Sequence, residues 1–136
     1  MTLATEVTYI GPDAVGIPPS GRLSPAVRIG DVLYLSGQIG RDFPSREFAE
    51  GFAAQLRLAL DNVETVVAAA GGTHDSIVKY TIYLVDENDS PALMEEMTER
   101  LRKRDRPPPA VTVLVVRALA LPQLLIEIEA IAVLDG

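Results

Sequence analysis

The segment Leu124–Val133 restricts the possible folds more than any other part of this chain. Successive side chains of a strand point to opposite faces, so Ile126, Ile128, Ala130 and Ala132 share one face, which is wholly apolar. The alternate set, Leu125, Glu127, Glu129, Ile131 and Val133, mixes two carboxylates with apolar neighbours. A strand apolar on one side and half apolar on the other is expected to be covered on both. The first face suits a layer of helices, and the second suits another sheet or another subunit. Glu127 and Glu129 would then lie along a partly buried seam, roughly 7 Å apart at about 3.3 Å per residue. The same alternation also fits a half-exposed strand whose glutamates point into water.

The rest of the chain supplies partners for such a strand. Thr2 to Ile10 reads as a first strand, stopped by Gly11-Pro12-Asp13, and Ile17 to Gly21 reads as loop. Ala26–Ile29, the turn Gly30-Asp31 and Val32–Ser36 predict a hairpin. It runs into Ser36-Gly37-Gln38-Ile39-Gly40. The glycines there either let the backbone approach a ligand, offering amide N–H groups to an anionic oxygen, or serve only the bend. A polar loop, Arg41 to Glu47, follows.

From Phe48 to Ala70, the residues Phe52, Leu56, Leu60, Val63, Val67 and Ala70 recur every three or four positions. This predicts a long amphipathic helix closed by Gly71-Gly72, with Gln55, Asp61, Asn62 and Glu64 off the stripe and in solvent. Thr73-His74-Asp75 is a turn carrying the chain's single histidine, expected at the surface. Ile77–Leu84 is a strand, and Asp86 to Asp89 turns the chain. Ser90 and Pro91 are the expected N-cap and first residue of a second helix running to about Lys103. Leu93, Met94, Met97 and Leu101 should face inward on it, and its order of Glu95, Glu96 and Glu99 before Arg100, Arg102 and Lys103 complements the helix dipole. Pro107-Pro108-Pro109 ends it, and Val111–Val116 is the penultimate strand. The order predicts one α+β domain over residues 1–136, a mixed β-sheet with two helices on one face. No further helix remains for the other face, so another copy of the chain is the expected cover.

Composition excludes several classes. Without cysteine the chain has no disulfide, no thiol nucleophile and no thiolate metal site. Twelve basic against nineteen acidic residues give a net charge of −7, which opposes binding to nucleic acid. There is no apolar run of about eighteen residues, so no membrane span is expected. The first residues lack a basic segment followed by an apolar one, and a cytoplasmic protein is the simplest reading.

Four segments together resemble, in order, the signatures of the RidA/YjgF family. They are Ala26-Val-Arg-Ile-Gly-Asp-Val-Leu-Tyr-Leu-Ser-Gly-Gln-Ile39, Gln55–Asn62 with Ala68–Gly71, Ile77–Asp86, and Ile126-Glu-Ile-Glu-Ala-Ile-Ala132. The resemblance implies a chorismate-mutase-like fold assembled as a homotrimer, sheets facing inward, with small-molecule clefts between subunits. It also implies hydrolysis of reactive enamines or imines, such as 2-iminoacids, with no cofactor and no metal. In active members an arginine early in the penultimate strand clamps the substrate carboxylate, and a glutamate of the last strand positions water.

Carried onto this chain, the glutamate is Glu127, and the glycine whose backbone meets the ligand is Gly37, beside Ser36. The arginine position holds Val111, followed by Thr112; a usual tyrosine is Leu23, and a usual asparagine of the second helix is Met94. Valine cannot hold a carboxylate, and an unpartnered anion in a half-dry cleft costs several kcal/mol. Standard 2-iminoacid deaminase activity is therefore not expected, unless Arg41 or Arg46 swings toward the cleft from the loop after Gly40. Two functions remain. One is a hydrolase for a less acidic enamine or imine, with Glu127 catalytic and Ser36, Gly37, Leu23, Met94, Val111 and Thr112 lining the cleft. The other is a non-catalytic trimer that binds a small molecule or another protein. The net charge and the lone loop histidine argue against a ribonuclease.

Overall fold

Ile126–Val133 forms the strand that gathers the others around it. The computed structural model describes residues 5–135. Its strands are β1 (Val7–Ile10), β2 (Ala26–Ile29), β3 (Val32–Leu35), β4 (Gln38–Ile39), β5 (Ile77–Leu84), β6 (Ala110–Val115) and β7 (Ile126–Val133). The helices are α1 (Phe52–Ala69) and α2 (Ser90–Leu101). Of the first expected strand, residues 2–4 lie outside the described residues. The sheet runs β1-β2-β3-β7-β5-β6, and β4 also pairs with β7. Every pairing is antiparallel except β5 with β6, which α2 connects.

The apolar face of β7 is buried as its alternation predicts: Ile126, Ile128 and Ala132 are wholly buried and Ala130 nearly so. Leu56, Ala59, Leu60, Val63, Val66 and Val67 of α1 join them in one core, with Leu93 and Met97 of α2. Burying a side chain of this size is worth about 1.5–3 kcal/mol. The opposite face carries no layer from this chain. Tyr9, Tyr34, Val7, Ile29 and Val133 stand exposed on it. β6 is the free edge beyond β5, and each of its residues is exposed.

Several expectations are corrected. α1 begins at Phe52, not Phe48: Phe48 bridges back to Arg41, Ala49 N–H donates to the Gly40 carbonyl at 2.9 Å, and Gly51 has φ +83°, outside helical space. Gln55 and Asn62 are not in solvent but buried, at 3% and 5% exposure. The Gln55 amide donates to the Ala49 and Gln123 carbonyls and accepts from Leu125 N–H at 2.9 Å. It thereby ties α1 to the start of β7. Asn62 donates to the Ile39 and Arg41 carbonyls at 2.9 and 2.8 Å, fixing the exit of β4. Ser90 is already helical, and it is Asp86 that caps the preceding turn by accepting from Asn88 N–H.

Met94 faces outward and is 58% exposed. His74 is only 20% exposed, with Nδ1 3.0 Å from a Glu64 oxygen, and Arg104 reaches across its turn to the His74 and Ile77 carbonyls. Glu64 and Asp61 also receive Arg100 from α2, at 3.0 and 2.8 Å. Burial alone would lower the Arg100 guanidinium, but its bonds to Asp61 and Glu96 outweigh that and hold it above the usual range.

Gln55→Leu strips three bonds from a buried amide's surroundings and should lower the unfolding free energy by about 2–4 kcal/mol in urea titrations. Arg102→Ala, which breaks an exposed pair with Glu99, should change it by less than about 0.5 kcal/mol.

Candidate functional site

The site begins with a mismatch in length. Tyr34 pairs with Ile131 and Gln38 with Ile128, so four steps on the β3–β4 segment span three on β7. The extra residue is taken up at Ser36-Gly37, a bulge that re-aims the backbone. The Ser36 hydroxyl donates to the Ser24 carbonyl at 2.6 Å, Ser36 N–H to the Pro25 carbonyl at 2.9 Å, and the Gln38 amide to the Ser36 carbonyl at 3.1 Å. So pinned, Gly37 lies directly against the Glu127 side chain, and a Cβ there would collide with the carboxylate.

On the open face of the sheet, Glu127 is registered with Tyr83 of β5, and Glu129 with Thr81. The Tyr83 hydroxyl donates to the Glu129 carboxylate. Gly37, Tyr83, Glu127 and Glu129 line an open cleft of about 340 Å³ together with Val116, Ala118, Leu119 and Ala120. Burial, then the charge of Glu129, pushes the Glu127 carboxyl above its usual range. The bond to Glu129, then burial and the two nearby carboxylates, push the Tyr83 hydroxyl up as well. One carboxylate is thus occupied by a fixed donor, while the other keeps free oxygens toward the cleft and a raised proton affinity. That division suits proton transfer to and from a small molecule.

A second hollow, of about 160 Å³, adjoins the first. Leu23, Ser36, Arg41 and Arg46 line it, and Gly37 belongs to both. The structure thus brings together Leu23, Ser36, Gly37 and Glu127, and it brings Arg41 and Arg46 to the same place. It does not bring the remaining candidates there within one chain. Met94 is on the outer surface of α2. Val111 pairs with Tyr80 and shares the parity of the core-facing residues of β5, 43% exposed at the sheet edge. Thr112 is on the open face beside Thr81, where it accepts from Lys79 Nζ at 2.6 Å. Among the described residues no group of three or more His, Asp and Glu is gathered as a metal site would require.

Tyr83 and the segment Val116–Ala120 are the site residues that the sequence pattern misses. Strict alternation puts Tyr83 on the face of Ile77, which is core. An irregularity at Val78 breaks that alternation, since Ile77 pairs with Ala132 but Lys79 with Ile131, and Tyr83 comes out on the other face.

The family model described as Endoribonuclease L-PSP matches residues 14–134. The chain is 37% identical to a RutC family protein of Pyrococcus horikoshii, over 84% of this chain and 88% of that one. It is 34% identical to a 2-iminobutanoate/2-iminopropanoate deaminase of Dermatophagoides farinae, over 86% and 89% respectively. Among solved structures it is similar to RidA from an Antarctic Psychrobacter, with TM-score 0.80, 33% identity, and 89% of this chain and 95% of that chain covered.

The raised Glu127 carboxyl has a sign in stability. Its contribution is fully present below the unfolded value, near pH 4.3, and is lost as pH rises through the higher folded value. Glu127→Gln should therefore match the parent's melting temperature near pH 4 and equal or exceed it, by up to a few degrees, at pH 8 in thermal denaturation. Gly37→Ala should keep the fold, because the tip of Glu127 can turn aside. It should lower the Glu127 pKa toward ordinary values as the carboxylate swings into water, read by NMR titration.

Proposed function

Because this chain belongs to the RidA/YjgF family, we propose that it assembles as a homotrimer and hydrolyses a small enamine or imine in clefts between subunits. The observation that carries this reading is the half-buried Glu127 carboxyl, raised in pKa and seated under the Gly37 backbone in an open cleft. Glu127 takes a proton from water as the water oxygen bonds to the imine carbon, and the C=N electron pair goes to nitrogen. The carboxyl returns that proton to nitrogen, giving a carbinolamine; it then takes the hydroxyl proton and passes it to the amino nitrogen, the C–N bond breaks, and ammonia leaves as the carbonyl forms. Water and imine give carbonyl compound and ammonia, and no cofactor or metal enters the balance. Tyr83 holds Glu129 in place beside this exchange and so maintains the charge that keeps Glu127 basic.

The trimer is supported by the open sheet face, where Tyr9 and Tyr34 are 66% and 46% exposed amid valine and isoleucine. A chorismate-mutase-like assembly, with sheets facing inward, would cover it. Ser36, Gly37 and Leu23 would contact the ligand from one side, and Met94, Val111 and Thr112 across the subunit boundary. The net charge of −7 sets the surface against RNA, and a cytoplasmic location fits a metabolic role of this kind. Val111, which leaves the penultimate strand without a guanidinium, favours one second reading: a trimer that binds a small molecule without turning it over.

Ammonia release from freshly generated imines, with and without a carboxylate, tests the reaction. Glu127→Gln should lower kcat at least about 100-fold. Silence of the parent across the panel would leave the binding reading. Tyr34→Asp places a charge on the open face and should convert the assembly to monomer in analytical ultracentrifugation. A parent that sediments as a monomer would overturn the trimer.

A further inference from the structure

The loop between β4 and α1 carries two guanidinium groups that no side chain neutralises among the described residues. The loop is tightly built. Arg41 bridges to Phe48, Asp42 N–H donates to the Glu47 carbonyl, and Arg46 N–H to the Asp42 carbonyl, the last two at 2.9 Å. Arg41 Nε donates to the Arg46 carbonyl at 2.7 Å, and its guanidinium stacks 4.6 Å from the centre of the Phe48 ring. Asn62, itself buried, holds the Arg41 carbonyl from below. The nearest acid in the loop, Asp42, is turned away, accepting from Ser45 N–H and Oγ at 2.9 and 2.8 Å. Arg46 sits at φ +63°, a conformation that side chains other than Gly, Asn and Asp seldom adopt.

Both arginines line the hollow of about 160 Å³, and no acidic residue lines it. In a chain of net charge −7, this is a concentrated positive site. Burial and the neighbouring Arg41 push the Arg46 guanidinium down, so the pair is held together against its own repulsion. The remaining walls are largely apolar, Leu23 and Phe43 among them, and the Ser36 hydroxyl is already committed to Ser24.

We propose that the Arg41–Arg46 hollow is a binding site for a small carboxylate with a short apolar body. Two arginines among largely apolar walls fit an anion with two oxygens and a short tail better than phosphate, which would need more donors than the hollow offers. Gly37 is common to this hollow and to the Glu127 cleft, so a carboxylate held here lies next to the cleft that Glu127 lines. In this second respect the inference rests on the reaction proposed for Glu127. The loop then supplies the charge recognition that Val111 cannot.

Two measurements separate the parts. Isothermal titration of the full-length chain with pyruvate, inorganic phosphate and pyruvamide reads the site without turnover. Pyruvate should bind, pyruvamide should bind at least about tenfold more weakly, and Arg46→Asn should weaken pyruvate at least about tenfold. Asparagine tolerates the positive φ, so the fold is kept; Arg102→Gln, which removes one distant surface charge, should leave pyruvate binding unchanged. No pyruvate binding, or binding indifferent to Arg46→Asn, overturns the site, and phosphate binding as tightly as pyruvate overturns its assignment to carboxylates. In turnover, Arg46→Asn should reduce the preference for 2-iminopropanoate over a neutral imine, as a ratio of kcat/KM, at least about tenfold, mainly through KM. An unchanged ratio alongside a strong effect of Glu127→Gln rejects the clamp and keeps the reaction. Pyruvate binding that depends on Arg46, in a protein that releases no ammonia, rejects the reaction and keeps the site.

Discussion

A strand paired along both edges has its backbone committed, so its side chains decide what each face of the sheet becomes. β7 is in that position, with β3 and β4 on one side and β5 on the other. Its isoleucines and alanines bring α1 down onto one face, and that packing fixes the plane from which Glu127 and Glu129 project on the other. The glutamates cannot leave the sheet without moving the core residues between them. Ile128, wholly buried, separates the pair and sets their spacing. The rigidity of the acidic pair is therefore a property of the hydrophobic core beneath it, and the geometry of the candidate site and the stability of the fold draw on the same contacts.

Given that scaffold, the two carboxylates become different by their neighbours. Both belong to one strand face and start with the same chemistry. Tyr83 donates to Glu129, whereas Glu127 meets only the Gly37 backbone and a half-dry cleft. Desolvation without a compensating donor raises proton affinity, and an adjacent negative charge raises it further. A tyrosine on the next strand thus assigns roles to two residues of identical type. The bulge at Ser36-Gly37 completes the arrangement by bringing a glycine against the carboxylate, where any side chain would occupy the place of the carboxylate oxygen.

Most of the frame was legible from periodicity. The alternation of β7, the three-or-four spacing of α1, the Gly30-Asp31 hairpin and the proline stop after α2 each correspond to an element of the structure. What escaped was everything that depends on a contact distant in sequence or on a break in period. Gln55 and Asn62 read as solvated because they lie off the α1 stripe, yet they are buried by backbone carbonyls supplied from β4, its loop and the approach to β7. Tyr83 was hidden by one irregular residue at Val78, which exchanges the faces of the rest of β5. Leu23, Ser36, Gly37 and Glu127 were named by resemblance and are neighbours in the structure. Met94 and Val111, named the same way, are placed apart from them, which a single chain cannot reconcile.

β6 carries a further consequence. It is a parallel edge strand with Val113, Leu114 and Val115 open to solvent, and it lacks the lysines, prolines or inward charges that usually guard such an edge. Its unpaired backbone can accept any extended segment that arrives first. A freshly made chain is therefore most at risk once its own sheet is complete and that margin is still bare. Slow, dilute refolding would favour well-formed particles, and crowded refolding would favour ribbons joined margin to margin.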